Sequence, residues 1–146
     1  MKLALFLPNW VGDAVMATPA LTALRERYPT ATTFGVMRPV IAETLAGTGL
    51  IDEPLLFHPR SADQTLSETA VCHRLLTERC DLAVLFTNSW RTAWLAWRSG
   101  IRERVGYARD LRGWLLTRRL KPHSKRVPNP VLDEYNRLAI ACGCPQ

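Results

Sequence analysis

The sequence has no long apolar run, few cysteines and no histidine cluster, and each absence removes a class of protein. No run approaches the roughly 20 apolar residues of a transmembrane helix, so no segment is predicted to span a membrane. The four cysteines form no C-x-x-C pair, and Cys142 and Cys144 lie only two positions apart, so we expect reduced, structural thiols. The three histidines lack metal-ligand spacing, so we expect no metal site. They are His58, His73 and His123.

Lysine is also scarce, with 3 residues against 16 arginines, yet the formal net charge is +6. Residues 91–126, called the basic region below, carry 11 basic and 2 acidic side chains, whereas residues 1–90 carry 7 and 9. This excess indicates an anionic partner, and arginine binds carboxylates and phosphates in a bidentate geometry that lysine lacks. A length of 146 residues with 47% apolar side chains is enough for one globular domain with a buried core.

Short apolar runs alternate with helical stretches along the chain. Strands are predicted at residues 2–7, 32–37, 53–57, 81–86 and 104–107. Helices are predicted at residues 39–46, 63–79, 89–98 and 131–142. In the first helical stretch we expect Thr18 to cap a helix that begins at Pro19, after a separate turn at residues 12–17. The alternation predicts an α/β fold, a Rossmann-like parallel sheet flanked by helices.

The loop after the first strand is the first candidate site, because ligands bind beyond the carboxyl ends of strands in open parallel sheets. Its sequence, P-N-W-V-G-D, contains neither G-x-G-x-x-G nor a phosphate-binding P-loop, which disfavours a dinucleotide or nucleoside triphosphate here. Gly12 permits a tight turn or close approach of a substrate to the backbone. Asp13 has two interpretations, a helix cap or a general base. Trp10 fits either a sugar-stacking residue or a core residue.

Several stretches resemble one known family. The segment from Leu5 to Pro29 contains W-V-G-D followed by P-A-L-x-x-L-R-x-x-Y-P, and resembles the opening of the heptosyltransferases, glycosyltransferase family 9. L-F-T-N-S-W-R-T-A at residues 85–93, G-I-R-E-R-V-G-Y at residues 100–107 and D-E-Y-N-R-L-A at residues 133–139 resemble later parts of the same family. The resemblance covers essentially the whole chain. One departure is P-N-P at residues 128–130, where many relatives carry a histidine. The contact with the acceptor that this histidine would make is therefore not expected here.

The resemblance implies a GT-B architecture, in which two Rossmann-like domains face each other across a cleft. Residues 1–146 correspond to a single N-terminal domain that binds an acidic lipopolysaccharide inner-core acceptor. A C-terminal domain, absent here, binds the nucleotide sugar, typically ADP-heptose. Transfer inverts the anomeric centre without a metal or other cofactor, and Asp13 is the general base. We therefore expect the chain to be incomplete as an enzyme and cytoplasmic, with association at the inner face of the inner membrane left open.

The basic region has three interpretations: a solvated surface, a nucleic-acid site, or a cradle for the acidic acceptor. No nucleic-acid-binding signature accompanies it, so nucleic acid is disfavoured, and the resemblance favours the acceptor. Asn88 fits either a ligand contact or a residue that merely precedes Ser89, the predicted cap of the next helix. A stand-alone module that binds an anionic glycan or nucleic acid is the alternative function. The candidate acceptor-binding residues are Trp10, Gly12, Asn88, Arg91, Arg104 and Arg109.

Overall fold

The computed structural model describes residues 1–109, 112–122 and 130–145, and these ranges form one α/β layer structure. The strands are β1 (Lys2–Phe6), β2 (Thr32–Met37), β3 (Glu53–Leu56), β4 (Leu82–Leu85), β5 (Glu103–Tyr107) and β6 (Arg118–Leu120). The helices are α1 (Val11–Arg27), α2 (Pro39–Leu45), α3 (Glu68–Glu78), α4 (Trp90–Arg98) and α5 (Val131–Ala141). His123 and the first two residues of the P-N-P stretch lie outside the described residues. Among the residues described, no helix is long and apolar enough to cross a membrane.

The six strands form one sheet in the order β3-β2-β1-β4-β5-β6, and every neighbouring pair is parallel. The chain builds outward from β1 to β3, then returns to the other side of β1 with β4. This reversal creates a topological switch point between β1 and β4, where doubly wound proteins bind their ligands. All strands end at the same side of the sheet, which we call the carboxyl edge. The predicted Rossmann-like fold is confirmed.

Both faces of the sheet are covered by helices, which explains the unbroken apolar runs of its central strands. In β1, Leu3 and Leu5 pack on the face that carries α1, α2 and α5, whereas Ala4 and Phe6 pack on the face that carries α3 and α4. Successive residues of a strand point to opposite faces. Because helices cover both faces, all four side chains are buried. The carboxyl edge is therefore the natural place for polar chemistry.

The prediction for the first helix is wrong in one respect: α1 is continuous and contains Pro19 in its interior. A proline has no N–H to donate to the carbonyl four residues earlier, which leaves the Val15 carbonyl without its usual partner. The Thr18 hydroxyl donates to that carbonyl instead, at 2.7 Å. An apolar stripe continues on both sides of Pro19 and packs the two halves of α1 against the core. Its buried members are Ala14, Ala17, Ala20, Leu21 and Leu24.

Two further elements differ from the sequence prediction. The stretch at residues 63–79 is divided by Ser67, whose hydroxyl caps α3 by accepting the Ala70 N–H at 3.2 Å, and a short 3₁₀ helix, Gln64–Leu66, precedes it. The edge strand β6 was not predicted, since its sequence R-R-L contains no apolar run. The other predicted strands and helices agree with the structure to within one or two residues. The four cysteines are buried and free, as predicted.

Candidate functional site

Asp13 lies at the carboxyl edge, in the first turn of α1, immediately after the loop that leaves β1. The N-cap residue of this helix is Trp10, whose side chain makes no capping hydrogen bond. Asp13 is the third residue of the helix, so it is not the cap. Within the described residues, no hydrogen bond or ion pair joins the half-buried Asp13 carboxylate to another group. The positive end of the helix dipole favours an anion here. Both carboxylate oxygens are thus available to a substrate hydroxyl.

Tyr135, a buried residue of α5, lies close enough to Asp13 for the two side chains to interact electrostatically. Burial raises the pKa of Tyr135, and the negative charges of Asp13 and Glu134 raise it further. The ring of Phe86, just beyond β4, contacts the Tyr135 ring edge-on, with 5.5 Å between ring centroids. The phenol therefore remains protonated and neutral near the carboxylate. Sequence reasoning quoted Tyr135 only as part of the family pattern and did not place it beside Asp13.

A cavity of about 340 Å³ opens at the same edge, among the residues that follow β1, β2, β3 and β4. Three arginines line it, each from a different part of the chain: Arg38 after β2, Arg60 after β3 and Arg91 in the first turn of α4. No acidic side chain is among its described lining residues, and none of the three guanidinium groups has an ion-pair partner in the described part of the chain. We call this cavity the arginine pocket. Its shape and charge suit a compact acidic group.

Hydroxyl groups at the start of α4 fix the pocket wall that carries Arg91. Ser89 is the N-cap residue and accepts the Thr92 N–H at 3.3 Å, which confirms the predicted cap. The Thr92 hydroxyl is 2.6 Å from the Thr87 hydroxyl and 3.0 Å from the Ser89 hydroxyl. Because these bonds hold the first turn of α4 to the end of β4, Arg91 projects from a rigid backbone.

Arg112 lies behind this wall as a fully buried arginine. Its Nε donates to the Tyr107 carbonyl at 2.8 Å, and its Nη1 donates to the Ser89 carbonyl at 3.0 Å. The side chain therefore ties the end of β5 to the start of α4. Although Arg112 belongs to the basic region, it holds the site together from inside the fold and does not face an acceptor.

Trp10 and Asn88 lie in loops at the carboxyl edge, as the sequence predicts, whereas Gly12, expected in the loop after β1, is the second residue of α1. Trp10 is 72% exposed, so it is not a core residue. Gly12 is exposed, and a Cβ atom there would meet nothing within 4 Å, so packing within the described chain does not demand glycine. Asn88 is exposed directly after β4 but does not line the arginine pocket.

The structure separates the two other predicted arginines from the arginine pocket. Arg104 lies toward the amino end of β5, where its guanidinium donates to the carbonyls of Ile101, at 2.6 Å, and Leu115. It lies away from the carboxyl edge and supports a turn, so it is not part of the candidate site. Arg109 does lie at the carboxyl edge, but its Nη2 pairs with Glu134 at 3.2 Å, and it does not line the pocket.

The described arginines of the basic region do not form one cradle. Arg98 lies 3.8 Å from Glu68, and Arg118 pairs with Glu103 at 3.3 Å, on other parts of the surface. Two of the three pocket arginines, Arg38 and Arg60, come from outside the basic region. The stretch of sequence that is richest in arginine therefore supplies only one of the three arginines of the pocket.

Comparisons with known proteins agree with this fold. No protein-family model matches the chain. The chain is 30% identical over 121 residues to lipopolysaccharide heptosyltransferase 2 of Escherichia coli K12, an alignment that covers 80% of this chain and 34% of that protein. The solved structure of Escherichia coli ADP-heptose lipopolysaccharide heptosyltransferase II is similar to 95% of this chain, with a TM-score of 0.79 and 24% identity. The match covers 40% of that structure.

A second solved structure, the glycosyl transferase family 9 protein of Veillonella parvula, matches 99% of this chain with a TM-score of 0.78 and 17% identity. The match covers 41% of that protein, so the chain spans less than half of the length of each relative. The sequence similarity and the fold together identify the chain as heptosyltransferase-like, of the glycosyltransferase family 9 type.

Proposed function

We propose that this chain is the acceptor-binding domain of an inverting GT-B glycosyltransferase. The enzyme would transfer heptose from an ADP-heptose-type nucleotide sugar to the acidic inner core of lipopolysaccharide. One observation carries the proposal: the Asp13 carboxylate and the three arginines of the arginine pocket lie at the same carboxyl edge, and none of them has an ion-pair partner among the described residues. The similarity to a lipopolysaccharide heptosyltransferase supports this choice of substrates. The nucleotide sugar would bind to a second domain, and the reaction would take place in the cytoplasm.

In this proposal the arginine pocket binds a carboxylate or phosphate of the acceptor and so presents a hydroxyl of the same molecule to Asp13. Guanidinium groups suit this role because each offers two parallel N–H donors to one anionic group. An extended nucleic acid would need a continuous basic surface. Arg104 and Arg112, two arginines of the basic region, instead donate to backbone carbonyls inside the fold. The compact pocket therefore favours an acidic sugar over the alternative of nucleic acid.

The chemical step needs only a base and a leaving group. As the acceptor oxygen attacks the anomeric carbon, Asp13 takes the hydroxyl proton, and the bond between that carbon and the diphosphate oxygen breaks. The nucleoside diphosphate leaves with the electron pair of the broken bond. Attack from the face opposite the leaving group inverts the anomeric centre. General-base assistance of this kind contributes about 10²–10⁴-fold to the rate, without a metal ion or other cofactor.

The arginine pocket can be tested in the complete two-domain transferase with the variants Arg60→Gln and Arg91→Gln. Each removes one charge-assisted contact, typically about 1.5–3 kcal/mol, so we expect KM for the acceptor to rise about tenfold or more. We expect kcat to stay within about twofold, because neither side chain takes the proton. Initial rates at varied acceptor concentration measure both constants.

Arg118→Gln is the matched control for these two variants. It removes the same charge from an arginine of β6, which pairs with Glu103 and does not line the arginine pocket. We expect its KM for the acceptor to equal that of the wild type. Equal KM values for all three variants and the wild type would contradict the proposed acceptor site.

A further inference from the structure

The outward face of α4 consists of tryptophan and arginine. Trp90, Trp94 and Trp97 lie at positions i, i+4 and i+7, which places them in one row along the helix. Their rings follow one another at centroid distances of 5.2 Å and 5.1 Å. Trp90 is 41% exposed and Trp97 45% exposed. We call these three residues the tryptophan ladder.

The fold does not require large aromatic residues on this face. The opposite face of α4 is already buried against the sheet through Ala93, Leu95 and Ala96. Of the ladder, only Trp94 packs against that core. A surface helix of a soluble domain normally places polar residues outward. In α4 the two end residues of the ladder keep nearly half of their surface in water instead.

The charges that α4 itself carries are all positive. Within α4 itself the only charged residues are Arg91 and Arg98, and exposed Arg102 follows shortly after the helix. The one acidic side chain recorded against this face is Glu68 of α3, at 3.8 Å from Arg98. Tryptophan combined with arginine on one helix face is typical of helices that lie in the interface of an anionic bilayer, where indole rings sit among the headgroups.

We propose that the tryptophan ladder docks this protein onto an anionic lipid bilayer, with α4 lying parallel to the membrane surface. The helix has nine residues, which is too short to span a bilayer, so the association is peripheral. A second copy of the chain fits this face less well. Three side chains on one helix offer far less than the roughly 800 Å² per partner of a stable interface. Two copies would also bring Arg91 and Arg98 against like charges.

Docking through α4 would hold the arginine pocket close to the membrane surface. Trp90 is the first residue of α4, and the next residue, Arg91, lines the pocket. The end of the ladder therefore adjoins the pocket. The docking proposal does not rest on the transfer reaction, because none of the three ladder tryptophans lines the arginine pocket.

Vesicle co-sedimentation of the chain tests the proposal. We expect the chain to bind vesicles of phosphatidylglycerol and phosphatidylcholine, and to bind pure phosphatidylcholine vesicles at least tenfold more weakly. The double variant Trp90→Ala/Trp97→Ala should reduce binding to the anionic vesicles by about tenfold or more, because it removes the two exposed rings. Brominated lipids should quench tryptophan fluorescence in the wild type and much less in the double variant.

Ile140→Ala is the control, since Ile140 is an exposed apolar residue of α5, which packs on the face of the sheet opposite to α4. It should bind vesicles like the wild type. Arg98→Glu, which leaves all tryptophans in place, should also weaken binding to anionic vesicles, and so tests the proposal if the double variant does not fold. Equal vesicle binding by the wild type, the folded double variant and Arg98→Glu would overturn the proposal. So would self-association that depends on the ladder in the absence of vesicle binding.

Discussion

Asp13→Asn is expected to lower the rate of sugar transfer about 10²–10⁴-fold in the complete two-domain transferase, with the domain still folded. Asparagine has nearly the same size and shape as aspartate but cannot accept the proton of the acceptor hydroxyl. The Asp13 carboxylate has no hydrogen bond to lose within the described residues. Loss of its favourable interaction with the helix dipole costs only about 0.3–1 kcal/mol. The loss should therefore appear in kcat and hardly at all in the free energy of unfolding.

Asp133→Asn provides a closely matched control. Asp133 is exposed and is the third residue of α5, as Asp13 is the third residue of α1, so the same substitution makes the same change relative to the helix dipole. We expect this variant to transfer sugar at the wild-type rate. The measurement is single-turnover transfer at saturating acceptor, with thermal unfolding of each variant recorded beside it. Near-native turnover by Asp13→Asn would rule out Asp13 as the general base.

Arg112→Met is expected to lower the free energy of unfolding by about 2–4 kcal/mol. Methionine keeps much of the apolar stem but removes the guanidinium donors at 3.0 Å and 2.8 Å from the carbonyls of Ser89 and Tyr107, which keep the Thr92 hydroxyl and the Arg109 N–H as donors. Each lost hydrogen bond from a charged donor costs about 1.5–3 kcal/mol, and the variant offsets part of this loss because it no longer buries a charge. Since Ser89 is also the N-cap residue of α4, we expect weaker acceptor binding where the variant remains folded.

Urea denaturation of the chain measures this loss. Arg119→Met is the control, because Arg119 is exposed and the one hydrogen bond that its side chain makes within the described residues, to the Leu116 carbonyl, is long at 3.4 Å. We expect it to change the free energy of unfolding by less than about 0.5 kcal/mol. A similarly small effect of Arg112→Met would show that the buried guanidinium does not connect β5 to α4 in the way we describe.

The sheet was predictable because its central strands are covered on both faces and so appear as apolar runs. Two errors have local causes. Pro19 was expected to begin a helix, but the Thr18 hydroxyl takes over the missing hydrogen bond to the Val15 carbonyl, and sequence periodicity does not report such a substitution. Strand β6 is short, lies at the edge and is rich in arginine, so it lacks the apolar pattern on which a strand prediction depends.

Only part of the candidate site was predictable from the sequence. The carboxyl-edge rule pointed to the segments after β1 and β4, and the family resemblance then selected Asp13 and Arg91 within them. Arg38 and Arg60 lie far apart in the sequence and outside the basic region, and only the strand order brings them together. Arg104 was selected by its predicted place at a sheet edge and its position in the family pattern, and neither shows that its guanidinium binds backbone carbonyls.

Titration of the chain with an acidic inner-core oligosaccharide tests the proposed acceptor domain most directly. Calorimetry would compare this oligosaccharide with the same molecule after reduction of its carboxylates to alcohols, and with single-stranded DNA at two salt concentrations. We predict binding of the acidic form, at least tenfold weaker binding of the reduced form, and a similar loss with Arg60→Gln. Equal binding of both oligosaccharides, or tighter binding of DNA with a steep dependence on salt, would contradict the assignment of this domain to an acidic sugar acceptor.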